Sequence, residues 1–154
     1  MINEKITTEN FDALLEGQLI KLNQIKEVPL MEVYEDVSIE AHQANYAMVV
    51  STNRVRAIGE VYGNLQRLED AAKRFYEGTK ATKRLKAGLD RDTFPDAAMR
   101  NAYAEVQAEE DRIRWESIKS IVRGVHIERS DLWDYRKKLE TISKNIQAEI
   151  FAGR

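Results

Sequence analysis

Residues 41–75 read AHQANYAMVVSTNRVRAIGEVYGNLQRLEDAAKRF. In this stretch Ala41, Ala44, Met48, Ser51, Val55, Ile58, Tyr62, Leu65, Leu68, Ala72 and Phe75 recur at spacings of three and four. That is one face of an α-helix and close to a heptad, whereas a half-buried strand alternates in twos. The first half of the seam is thin, with Ala and Ser where Leu would be usual, so a close helix approach is expected there. Gly59 and Gly63 lie four apart, and each costs about 1 kcal/mol relative to Ala inside a helix. They mark either a weak, flexible stretch or a tight helix crossing.

Outward from this seam the same period returns. Phe11, Leu15, Leu19, Leu22 and Ile25 give an apolar face over residues 9–26, with Thr7-Thr8 as the helix start and Pro29 as its stop. Residues 28–37 read as an extended linker or a short strand, with the linker preferred, and Ser38 is the next N-cap candidate. Gly78 and Gly88 bracket a basic segment that reads as a frayed helix or a loop. Gly88 to Pro95 is the clearest turn, with Asp92 or Thr93 as the cap of the following helix. Met99, Tyr103, Val106 and Ile113 form its stripe, interrupted by Glu110. Ile118, Ile121, Val125, Leu132, Tyr135, Leu139, Ile142 and Ile146 continue it, with Glu128 as the one conflict. A single helix of about 55 residues would be about 85 Å long and would have to pair with another. Two segments are therefore expected, 96–123 and 131–151, continuous or bent near Gly124. The fold class expected is all-α, with long amphipathic helices in an antiparallel, coiled-coil-like assembly. Residues 1–37 read as an acidic arm with one helix, and 38–154 as the oligomerisation and nucleic-acid-binding part.

The chain has 154 residues, two prolines, seven glycines and no cysteine. Disulfide and thiolate chemistry are therefore excluded. The longest apolar run, Tyr46 to Val50, is far short of the ~20 residues that span a bilayer. The first residues have neither a basic head nor an apolar core, so no signal peptide is expected. These features point to a cytoplasmic protein.

The net charge of -2 hides a polarity. Residues 1–40 hold three basic and nine acidic side chains, whereas residues 41–91 hold ten basic and five acidic. The middle third is thus the candidate for a polyanion. Its candidate contacts are Lys73, Arg74, Lys80, Lys83, Arg84, Lys86 and Arg91, with Tyr76 as a stacking ring. Phe75 belongs to the apolar seam, and Tyr76 and Phe94 are freer. Long helices with loop-borne cations suit single strands better than duplex readout. No phosphate-loop, dinucleotide, nucleophile-elbow or zinc-protease motif occurs. His42 and His126 have no partners at ligand spacing, and Glu109-Glu110-Asp111 reads as a solvated face. No metal, cofactor or catalytic residue is expected, and the chain reads as a non-enzyme.

The order of parts resembles the UvsY-like recombination mediators of phages. Ala44-Asn45-Tyr46-Ala47-Met48-Val49-Val50-Ser51 is similar to that family's Ala-Asn-x-x-Met-apolar-x-Ser segment. Phe75-Tyr76-Glu77-Gly78 is similar to its aromatic-Tyr-x-Gly string ahead of a variable loop. Ile146-Gln147 and Phe151-Ala152-Gly153-Arg154 are similar to its terminal signature. The family's basic residues precede the aromatic string by a turn, whereas Asp70, Ala71 and Ala72 stand there in this chain and the cations come at Lys73-Arg74. The resemblance implies binding of single-stranded DNA and assembly as a homo-oligomeric ring. It also implies loading of a RecA-like recombinase onto strands covered by single-stranded-DNA-binding protein (SSB), in the cytoplasm of a phage's host. The C-terminal seam would serve as the assembly interface. The competing reading is a helical structural or adaptor protein, of a virion or a regulatory complex, that binds a protein partner.

Overall fold

The computed structural model describes residues 2, 4–32 and 39–153. The described residues form four helices and no strand: α1 (Phe11–Glu27), α2 (Ala41–Leu89), α3 (Ala97–Gln107) and α4 (Glu109–Ala152). The protein is all-α, as the periodicity predicts. Ser38, residues 33–37 of the expected linker and Arg154 lie outside the described residues. The chain divides into two compact units, residues 1–17 with 63–123 and residues 18–62 with 124–154.

In the first unit, α1 begins at Phe11 directly after Asn10, whose carbonyl accepts the Leu14 N–H at 3.0 Å, rather than at Thr7-Thr8; Thr7 belongs to the turn ahead of it. The Thr7 hydroxyl accepts the Asn10 N–H at 3.4 Å while Asn10 Oδ1 accepts the Thr7 N–H at 2.8 Å. This reciprocal pair closes the turn that leads into α1. Phe11 is fully buried, with its ring edge-on to Phe75 at 6.1 Å and the Arg114 guanidinium 5.7 Å from its centre. Leu65, Leu68, Ala71, Ala72, Ala104, Ala108 and Ile118 complete the core. Helices α2 and α4 run antiparallel here, since Tyr76 meets Trp115 and Thr79, further along α2, meets Asp111, further back on α4. Ile2 is also tied down: its N–H donates to Asn64 Oδ1 at 2.9 Å, and the Arg67 guanidinium donates to its carbonyl.

Four expectations change in this unit. The basic segment after Gly78 is neither frayed nor a loop, because α2 continues to Leu89. The cap of α3 is Asp96, not Asp92 or Thr93, and its carboxylate accepts the Met99 N–H at 2.8 Å. The expected segment 96–123 is interrupted at Ala108, whose N–H is shared between the carbonyls of Ala104 and Glu105 at 3.1 and 3.2 Å, whereas the helix runs on through Gly124, which is the continuous one of the two alternatives there. Finally, Met99, Val106 and Ile113 are exposed, and Ala104 and Ala108 take the core positions. The seam that is covered runs Ala104, Ala108, Asp111, Trp115, Ile118 and Val122, at spacings of four and three. Sequence reasoning followed the larger apolar side chains and missed this register.

In the second unit, α1 ends at Glu27, since Pro29 disfavours the helical conformation of Val28. The chain after it is held by Arg54, which donates to the Val28 carbonyl at 3.0 Å, and by Tyr135, whose hydroxyl donates to the Met31 carbonyl at 2.8 Å. Leu22, Ala44, Ala47, Ser51, Ile58, Val125, Leu132 and Leu139 are buried. The Ser51 hydroxyl donates to the Met48 carbonyl at 3.0 Å, which makes its burial affordable. Glu128, the conflict in the stripe, is half-buried and accepts a 2.6 Å ion pair from Lys26. Arg129 lies with its guanidinium 5.5 Å from the Tyr62 ring centre.

Neither Gly59 nor Gly63 marks a tight crossing, because a β-carbon at either would meet nothing within 4 Å among the described residues. Gly63→Ala is therefore expected to stabilise the protein by up to about 1 kcal/mol in urea unfolding. A close helix approach would instead make it destabilising. Burial raises the Tyr135 pKa above the ordinary tyrosine value. The folded state then holds the phenolic proton more tightly than the unfolded chain. The associated stability is complete below the unfolded pKa of about 10 and is lost as pH rises through the folded one. The urea midpoint should fall over that alkaline range, and less steeply in Tyr135→Phe.

Candidate nucleic-acid interface

All eight residues singled out as a polyanion site belong to the first unit. Seven sit on α2 and Arg91 lies in the turn beyond it. In that turn Asp90 Oδ1 accepts the Thr93 N–H at 3.1 Å, and hydrogen bonding from the Thr93 side chain first, with this backbone bond second, lowers the Asp90 pKa. Helical geometry puts Lys73, Tyr76, Lys80, Lys83 and Arg84 on one strip, at spacings of three, four and three or four. Arg74 and Lys86 fall on other faces of the helix. Lys86 also stands in the last turn of α2, where a cation meets the negative end of the helix dipole.

The strip faces aromatic and acidic side chains of α3 and α4. Tyr76 stacks on Trp115, with centres 5.8 Å apart and planes at 22°. The Lys80 ammonium lies 5.8 Å from the Tyr76 ring centre and makes a 2.6 Å ion pair with Glu105. The hydrogen bond to Glu105 is the main reason that its pKa is raised. Lys73 lies 5.9 Å from the Trp115 ring centre and 3.8 Å from Glu77. Lys119, one turn beyond Trp115 on α4, lies 5.5 Å from the same ring centre. Trp115 and Lys119 were missed by sequence reasoning. The available signal was their spacing of four residues, which places a cation beside a ring on a helix.

Beneath the strip, Asp111 accepts the Thr79 hydroxyl at 2.6 Å and Arg114 Nη1 at 3.0 Å. The acidic triplet is thus not a uniform solvated face, since the Asp111 side chain is only 17% exposed. Glu109 and Glu116 both pair with Arg112, at 2.6 and 2.7 Å. The bond from Arg112 lowers the Glu109 pKa and raises that of Arg112. Arg112 and Arg114 are therefore occupied by carboxylates. Arg74, Lys83, Arg84, Lys86 and Arg91 have no ion pair among the described residues, and all but the half-buried Lys83 are exposed. Phe94 is not free, as it packs on Tyr103 with centres 4.7 Å apart. Phe75 stays in the seam, against Phe11.

Among the described residues no group of three His, Asp or Glu side chains is placed to hold a metal ion. Among them, too, no helix is long and apolar enough to cross a membrane. Comparison with protein-family models, curated proteins and solved structures gives no match.

The Thr79–Asp111 bond fastens α2 to α4 under the candidate surface. Thr79→Val should cost about 1 kcal/mol of stability by urea unfolding, the usual worth of one such hydrogen bond or slightly more for a charged acceptor.

Proposed function

We propose that this protein binds single-stranded DNA through the C-terminal part of α2, and acts as an oligomeric mediator that helps load a RecA-like recombinase onto SSB-covered strands. The observation that carries the DNA-binding reading is the run of cations without carboxylate partners among the described residues, Lys83, Arg84, Lys86 and Arg91, continuing from the Lys73–Tyr76–Lys80 strip. Cations that are already paired gain little by meeting a phosphate, because a carboxylate must first be displaced. Unpaired ones release condensed counterions at no such cost. Rings beside them offer stacking surface that does not depend on base identity. The preference for DNA, the ring assembly, the recombinase and SSB come from the resemblance to UvsY-like mediators. Weak sites on several protomers would gain avidity on one strand.

The seam residues Ile118, Val122, Leu132 and Leu139 are buried within the single chain. Assembly between copies would therefore use exposed apolar side chains, such as Ile127, Ile150 and Phe151 of the second unit. The second reading, a helical adaptor for a protein partner, draws on exposed Leu85, Leu89 and Val106 of the first unit.

Fluorescence anisotropy with labelled single-stranded and duplex oligonucleotides, from about 50 to about 300 mM salt, tests the proposal. Single strands should be preferred, with affinity falling steeply as salt rises. Lys83→Glu with Arg84→Glu should weaken binding about tenfold or more and reduce the salt slope by about 2. Normal binding by that variant would remove α2 from the site. Indifference of the parent protein to both nucleic acids at the lowest salt would favour the adaptor.

A further inference from the structure

We infer that Trp115 and Lys119 of α4 belong to the same single-strand surface as Lys73 and Tyr76 of α2, with Lys73 and Lys119 each meeting the phosphate backbone beside the indole and the indole carrying a base. This rests on the DNA-binding reading and extends it to a second helix.

Three features of the cluster go beyond what fastening two helices requires. Two ammonium groups from different helices gather around one ring, at 5.9 and 5.5 Å from its centre. Two cations beside one ring raise the local positive potential, and a phosphate backbone passing that ring would neutralise it. Secondly, their carboxylate partners do not match their number. Glu77 approaches Lys73 only to 3.8 Å, and Lys119 has no ion pair among the described residues. Thirdly, the Trp115 Nε1–H is buried without an acceptor among the described residues. An unsatisfied buried donor costs about 1–3 kcal/mol, and a phenylalanine would stack on Tyr76 without it. The indole brings instead the strongest cation-binding and base-stacking face of any side chain.

The sequence has two tryptophans, so Trp133→Phe leaves Trp115 as the sole indole. Fluorescence of this variant should be quenched on titration with oligo(dT), at the concentrations where anisotropy reports binding. Lys119 is exposed, and Lys119→Ala should keep the parental circular dichroism and urea midpoint. It should weaken oligo(dT) binding about fivefold and lower the salt slope by about 1, an effect that a purely structural lysine would not produce. Trp115→Phe should restore most of the binding that Trp115→Leu loses. An oligo(U) arm should show the same quenching, because the phosphate and stacking contacts do not require a deoxyribose. Oligo(dT) binding that leaves both Trp115 emission and the Lys119→Ala salt slope unchanged would overturn this inference and leave α2 alone as the site. Absence of any anisotropy change with the parent protein would overturn the DNA-binding reading itself, and this inference with it.

Discussion

The apolar seam of α2 has to be covered, and everything else in the molecule follows from how that is done. A 49-residue helix exposes its whole stripe if it stands alone, and helix propensity does not offset that exposure. In each unit the cover is α4. The pairs Tyr76–Trp115 and Thr79–Asp111 set its register in one unit, and Tyr62 with His126, centres 5.8 Å apart, does so in the other. Helix α1 supplies Phe11 to the first unit and Leu22 to the second.

The covering seam of α4 is not purely apolar. Asp111, Trp115, Arg129 and Arg136 take positions that Leu or Ile would ordinarily hold. Each has a reason in its surroundings. Asp111 is bonded to Thr79 and Arg114, Trp115 stacks on Tyr76, Arg129 lies over Tyr62, and Arg136 lies over Trp133 and pairs with Glu140 at 3.5 Å. Such residues specify register, because a slip by one turn would part Asp111 from Thr79 and separate Trp115 and Arg129 from the rings they lie against. The same substitutions bring rings and cations to the edge of the first unit's core. There one set of side chains can both fasten the helices and meet a ligand.

Charge is divided by the fold rather than by sequence position. The total of -2 conceals arginines that are neutralised locally, such as Arg112 between Glu109 and Glu116. It also conceals cations left facing water along the end of α2. Counting residues 41–91 as basic identifies the region. Only the contacts distinguish Lys80, held by Glu105, from Lys83 and Arg84, which have no such neighbour among the described residues.

The amino-acid sequence by itself determined the helical class, the buried faces of α1 and α2, the stop at Pro29 and the turn before Pro95. These are local matters of period, capping and backbone restriction, and they need no knowledge of partners. Tertiary structure alone decided that α2 runs through Gly78 and α4 through Gly124, because a glycine's cost of about 1 kcal/mol is small beside the burial on either side. It also decided that Ala104 and Ala108 are core while Val106 and Ile113 face water. Small side chains bury where helices come close, and hydrophobicity alone ranks them last. The candidate surface divides in the same way. Its cations and Tyr76 were legible as a run along one segment, whereas Trp115 and Lys119 join it only because an antiparallel helix brings residues about forty positions away in sequence against that run.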